Sequence, residues 1–190
     1  MRRYASYGLV LLCIPVLALG CAAGKKEGEV AVKRPPRGYI KTGTSVDDFT
    51  GEAADVYGSF LDLEARFSAI IAKIDDIQAK YGSPEKAEAT LEEKVQDLVR
   101  SGRVPENEFK TLRKEVEEAL DEGHELVTSA TDLLPRAKEA LSGLPKDPLK
   151  LRRAKKAVDR AEAQLYYIKS NGSELSESAV MILQALAPSP

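Results

Sequence analysis

The chain has 190 residues, of which 43% are hydrophobic, 31% charged and 6% aromatic, with no Trp, one His and a net charge of −2. That is the length of one domain, with apolar mass for one core and the composition of a long-helix protein. A single His excludes any multi-His metal site, and no Gly-rich phosphate loop or G-x-S-x-G turn occurs.

Residues 1–20 stand apart from the rest. Arg2 and Arg3 precede an apolar run, Leu9 to Leu19, interrupted by Pro15. Eleven residues are too few to span a bilayer as a permanent helix. The run ends Leu17-Ala18-Leu19-Gly20-Cys21. A small residue directly before a Cys, after a short apolar run, resembles the lipobox of bacterial lipoproteins. The resemblance covers residues 1–21 only. It implies that the signal peptide is cut before Cys21, that a diacylglycerol is attached to the sulfur, and that the new amine is acylated, for example by palmitate. Several acyl chains give stable membrane anchoring. Cys13 then leaves with the signal, so no disulfide is expected. The Arg pair lacks the rest of a twin-arginine motif, which implies Sec export. Ala22, rather than Asp, follows the Cys; by resemblance to enterobacterial sorting patterns this favours the outer membrane, facing the periplasm.

Residues 21–45 read as the lipidated Cys and a flexible linker. Gly24, Gly28, Pro35-Pro36, Gly38 and Gly43 interrupt it, and no periodicity is present. Fully extended it reaches about 80 Å. Residues 22–45 hold six basic and two acidic side chains; residues 46–190 hold 20 basic and 28 acidic. A basic tether suits anionic headgroups, while the acidic body argues against nucleic-acid binding.

From Val46 the pattern changes to helix. Val46, Phe49, Ala53, Val56, Phe60, Leu63, Phe67, Ile70, Ile74, Ile77 and Tyr81 follow steps of three and four through five heptads. Only a helix places these on one side. The 36 residues make a rod of about 54 Å, with Ser45 and Asp48 as the expected N-cap pair. Gly82-Ser83-Pro84 ends it. A second helix is expected from Pro84, capped by Ser83, to Ser101, on the apolar set Ala87, Leu91, Val95, Leu98 and Val99. A third starts at Pro105 with Phe109, Leu112, Val116, Ala119, Gly123, Leu126, Ala130, Leu133 and Ala137, and Pro135 predicts a kink or break near Asp132. A fourth opens at Asp147-Pro148, with Asn171-Gly172-Ser173 as a soft spot or break. Short turns make neighbours antiparallel. The expected fold is all-α: an up-down antiparallel bundle of three to four long helices over residues 46–190.

Chemistry-bearing constellations are few. Asp121 and His124 form half of a Glu-x-x-His-like pattern that needs two copies. Asp97 to Glu108 resembles an EF-hand calcium loop, with Gly102 sixth and Glu108 twelfth, but Val99 occupies a ligand position. The paired carboxylates Asp47-Asp48, Asp75-Asp76, Glu92-Glu93 and Glu117-Glu118 are adjacent on helices and do not face each other. Two surfaces suggest docking. The basic run Lys146, Lys150, Arg152, Arg153, Lys155, Lys156 and Arg160 opens the fourth helix, where the dipole disfavours cations. It is expected either to pair with acidic faces of helices two and three or to form a docking patch, at Lys150, Arg153 and Lys156, for an acidic partner, a cell-wall polymer or lipid phosphate. The face of helix one opposite its seam is Gly51, Gly58, Ala65, Ala72 and Ala79, with Ala65 and Ala72 as candidate docking positions. No catalytic residue, metal or cofactor is expected. The chain reads as a non-enzymatic envelope interaction or scaffold module with a protein partner. Two other readings are an apolar-ligand carrier, with room left by Gly123 and Gly172, and a self-associating coiled coil.

Overall fold

The computed structural model describes residues 33–142, 144 and 146–187, which lie within one compact unit, Ala31–Pro190. The expected signal peptide and Cys21 fall outside them. The described residues form four α-helices: α1 (Asp47–Tyr81), α2 (Leu91–Ser101), α3 (Glu106–Ser142) and α4 (Pro148–Ala185), with a 3-10 turn at Pro84–Lys86. No strand occurs among the described residues.

The α1 seam is the core. Val46, Phe60, Leu63 and Ile74 are wholly buried, and Phe49, Phe67, Ile70 and Ile77 nearly so. They pack on Leu112, Val116 and Leu133 of α3 and on Val158, Leu165, Ile168 and Ile182 of α4. Burying a residue of this size contributes roughly 1.5–3 kcal/mol, so this seam, together with the α3–α4 contact, carries much of the packing.

Helix ends follow their local chemistry, and two differ from expectation. Val46, not Ser45, is the N-cap of α1 and offers no side-chain cap. The nearby carboxylate that organises the start is Asp47, which accepts from Thr42 N (2.8 Å), Thr42 Oγ1 (2.6 Å) and Gly43 N (2.8 Å). The second helix begins at Leu91 rather than Pro84. Thr90 and Glu93 form a reciprocal capping box, which fixes a helix start more strongly than a lone serine. Ser83 makes no side-chain cap; its N–H (2.7 Å) and hydroxyl (3.0 Å) both donate to Asp97. Gly102, at φ 60°, ends α2 in the left-handed region that favours glycine. Asp147 caps α4 as expected, accepting from Leu149 N and Lys150 N, with Pro148 in the first turn.

Neither expected interruption breaks its helix. α3 runs continuously through Pro135. Leu133 and Ala137 are buried on either side of it, and Arg136 holds Glu52 of α1 at 2.6 Å. Tertiary packing thus outweighs the one hydrogen bond that proline removes. α4 runs continuously through Asn171-Gly172-Ser173. Asn171 Nδ2 donates to Tyr167 O (2.9 Å) and Ser173 Oγ to Lys169 O (3.1 Å), so both polar side chains fold back onto the preceding turn.

Cross-helix partners order the elements. Along α1 and α3 the pairs are Glu52–Arg136, Arg66–Glu122, Lys73–Glu115 and Lys80–Glu108. Numbers on α3 fall as those on α1 rise. Between α1 and α2 the pairs Asp75–Lys94 and Gln78–Asp97 rise together. The expected tight reversal after α1 is replaced by the longer connection 82–90, which carries the chain back before α2 begins.

The two core glycines differ. A Cβ on Gly172 would stand 2.3 Å from Val127 Cγ2, whereas one on Gly123 would meet Leu63 and Leu175 at 3.6 Å, an ordinary contact. The space expected from these glycines is therefore filled by neighbours. Val is β-branched and cannot swing aside freely. Gly172→Ala is expected to destabilise the protein by about 1–3 kcal/mol, despite a helix-propensity gain of about 1 kcal/mol. Gly123→Ala is expected to stabilise it by up to about 1 kcal/mol. Urea unfolding of both variants reads the contrast.

Candidate interaction surfaces

The expected flexible linker is seated where it is described. Residues 33–45 form a strap against α1 and α4. Tyr57 of α1 donates its hydroxyl to Pro35 O (2.7 Å), and Gln164 of α4 donates Nε2 to Pro36 O (2.8 Å) and Gly38 O (2.9 Å). Arg34 pairs with Glu64 (2.5 Å) and Arg37 with Asp62 (3.2 Å). Two of the linker's six basic side chains are thus engaged by the acidic body rather than left for a membrane. The remaining linker residues, 22–32, lie outside the described residues.

Beneath the strap sits a cluster of aromatic and polar groups. The Tyr57 and Tyr167 rings meet edge-on at 5.7 Å, and Phe60 meets Tyr167 at 6.2 Å. Tyr167 donates its hydroxyl to Glu64 Oε1 at 3.0 Å. Burial first, and the Glu64 carboxylate second, push the Tyr167 phenol up to about 12. Burial likewise raises that of Tyr57. Gln164 is wholly buried, and its Oε1 has no partner among the described atoms. The sequence does carry a signal for this site. With Val46 at heptad position a, the e positions are Thr50, Tyr57, Glu64, Ile71 and Gln78. Thr50, Tyr57 and Gln78 are buried, so the buried stripe on α1 is wider than its a/d seam.

The small-residue face of α1 is divided. Gly58 lies under the Arg37 guanidinium, which a Cβ there would meet at 3.7 Å. This part of the face is occupied by the chain's own strap. Ala65 and Ala72 are exposed beyond it.

The basic run at the start of α4 does not pair with α2 or α3. Lys150, Arg152, Arg153, Lys155 and Lys156 are exposed, and none of them makes an ion pair among the described residues. Six of the ten acids on α3 are engaged elsewhere, while Asp121, Glu125, Asp132 and Glu139 make no ion pair among the described residues. Glu108, Glu115 and Glu122 of α3 pair with α1, and Glu106, Glu117 and Glu118 pair within α3. Leu149, at the head of the run, is 82% exposed.

The remaining sequence candidates are placed apart. Asp97 of the EF-hand-like stretch turns away from that loop and accepts from Ser83 and from Gln78 Nε2 (2.9 Å). The Ser83 backbone N–H, foremost, holds its carboxyl below the usual range. Asp121 and His124 are exposed on α3. Among the described residues no three His, Cys, Asp or Glu side chains come together as a metal site, and no helix is long and apolar enough to cross a membrane.

No family model matches the chain, and neither the curated proteins nor the solved structures yield a match.

Two measurements probe the strap. Tyr167 has its phenol raised from 10.0 to about 12 in the fold, so its contribution to stability is complete below about pH 10 and is lost as pH rises towards 12. Denaturant unfolding across that window is expected to show a steeper loss for wild type than for Tyr167→Phe. Gln164→Leu removes both donations to the strap, and trypsin is expected to cut after Arg37 and Lys41 at least tenfold faster, roughly the effect of two net hydrogen bonds. Unchanged cleavage would show that the strap is held without them.

Proposed function

We propose that this chain is a lipid-anchored protein of the bacterial cell envelope whose helical bundle serves as a non-enzymatic interaction or scaffold module. The observation that carries the anchor is Leu17-Ala18-Leu19-Gly20-Cys21, at the end of a short apolar run behind Arg2 and Arg3. Ala22 favours an outer-membrane location facing the periplasm. The order of the Glu52–Arg136, Arg66–Glu122 and Lys73–Glu115 pairs supports an up-down, antiparallel placement of α1 and α3. Gly172 near Val127 and Gly123 near Leu175 support the same for α3 and α4.

Burial of the α1 seam within a single chain favours the module over a self-associating coiled coil. The heptads of α1 already have their partners in α3 and α4. What remains outside on α1 includes its acidic flanks and the small-residue face at Ala65 and Ala72. Such surfaces suit a protein partner in the envelope.

Metabolic labelling with palmitate tests the anchor. The full chain is expected to incorporate label and fractionate with membranes, while Cys21→Ala does neither. Label retained by Cys21→Ala would remove the lipoprotein reading. The single-chain bundle has its own test in Phe60→Asp, which buries an unpaired carboxylate and is expected to unfold the monomer outright. A folded monomer released from a larger assembly would instead mean that α1 pairs between chains.

A further inference from the structure

Building on the anchored reading above, we propose that the exposed basic flank at the start of α4 is a membrane-docking surface that rests on the anionic headgroups of the bilayer holding Cys21. At 3.6 residues per turn, Leu149, Arg152, Lys156 and Arg160 are spaced by three, four and four, and Arg153 lies four from Leu149 and three from Lys156, so all five share one flank. The other flank of the same turns carries Ala154, Ala157, Val158 and Ala161, all buried in the core. The stretch 148–160 has six basic residues and one acid, Asp159, on a domain that is otherwise acidic.

Three features distinguish this flank from an ordinary solvated face. Its cations stand at a helix N-terminus, where the dipole opposes them, and among the described residues no carboxylate pairs with them. Arg152, Lys155 and Lys156 line a surface concavity with Pro148, Leu151 and the single acid Asp159, so three cations face one carboxylate there. Leu149, 82% exposed, stands at the end of the flank. Cations beside a protruding aliphatic side chain are the chemistry of an interfacial contact: phosphates take the charges and the leucine enters the headgroup boundary. An acidic protein would meet the charges but would leave that leucine without a reason.

The tether allows it. Cys21 and Lys33 are twelve residues apart, which spans at most about 40 Å. Gln164, which holds Pro36 and Gly38, is fifteen residues from Leu149 along α4, or about 22 Å. A lipid on Cys21 can therefore lie in the same plane as Leu149 without the strap being lifted. The acidic faces elsewhere are repelled by that plane, so docking would hold the bundle in one orientation.

The test is sedimentation of residues 22–190, which contain every residue of the described core. The probes are vesicles of one part phosphatidylglycerol to three parts phosphatidylcholine, and vesicles of phosphatidylcholine alone. Wild type is expected to sediment with the anionic vesicles only, and less so as salt is added. The paired substitution Arg152→Gln/Lys156→Gln, with unchanged helicity by circular dichroism, is expected to lower partitioning by about tenfold or more. Leu149→Ser is expected to lower it with no change in salt dependence. Equal sedimentation of wild type and variants would assign all binding to the linker lysines and overturn the proposal, as it would if this flank docked an acidic protein instead. Absence of wild-type sedimentation would overturn it as well. Because residues 1–21 are missing from this chain, the result is independent of palmitate labelling, and failure of the anchor is separable from failure of the docking surface.

Discussion

Everything described in this molecule depends on the burial of one face of α1. Its 35 residues form a helix too apolar on that face to stand in water, and a helix of any length takes most of its stability from such packing. α3 and α4 are of matching length because they must cover it. The ion pairs between α1 and α3 lie at the margin of the seam and are partly solvated. Pairs of that kind contribute little to stability, commonly below about 1 kcal/mol. Their role is register, since each acid on α3 claimed by α1 is an acid no longer open to α4.

That allocation explains part of the surface. Six of the ten α3 carboxylates are engaged by α1 or by their own helix, and the bases at the start of α4 face solvent without an ion pair among the described residues. A charge pattern that looks self-compensating in sequence is therefore not compensated in space. The strap shows the reverse. Arg34 and Arg37 read as a solvated linker, yet Glu64 and Asp62 hold them, and the tyrosine and glutamine side chains under the strap donate to its carbonyls.

The sequence reveals the elements governed by periodicity and much less of what depends on local competition. The seam from Val46 to Ile77 and the cap at Asp147 are readable because each is set by residues along one helix. The start of α2 is not where Ser83-Pro84 suggests, because the reciprocal Thr90–Glu93 capping box fixes it at Leu91. Ser83 instead donates to Asp97, fourteen residues beyond it. Continuity through Pro135 was hidden because flanking burial of Leu133 and Ala137 outweighs a local rule. The strap was missed for a different reason. Pro35, Pro36, Gly38 and Gly43 give no period, and the residues that hold it are spread over two distant helices. Its trace in the α1 sequence is the pair Tyr57 and Glu64, polar e positions beside an apolar seam.

The strap's path has a mechanical consequence. The chain meets the bundle at Arg34, beside Glu64, well along α1, and runs back past Gln164 before turning at Asp47 into the helix it has just passed. Any pull arriving from the residues ahead of it therefore loads the Tyr57 and Gln164 hydrogen bonds and the two arginine pairs before it loads a helix. Those bonds are few, while the helices below share one core. Peeling the strap would free up to about 40 Å of chain with the helices still packed. The same thirteen residues are thus a clasp at rest and slack under tension, and the folded body is shielded from strain arriving from the N-terminal side.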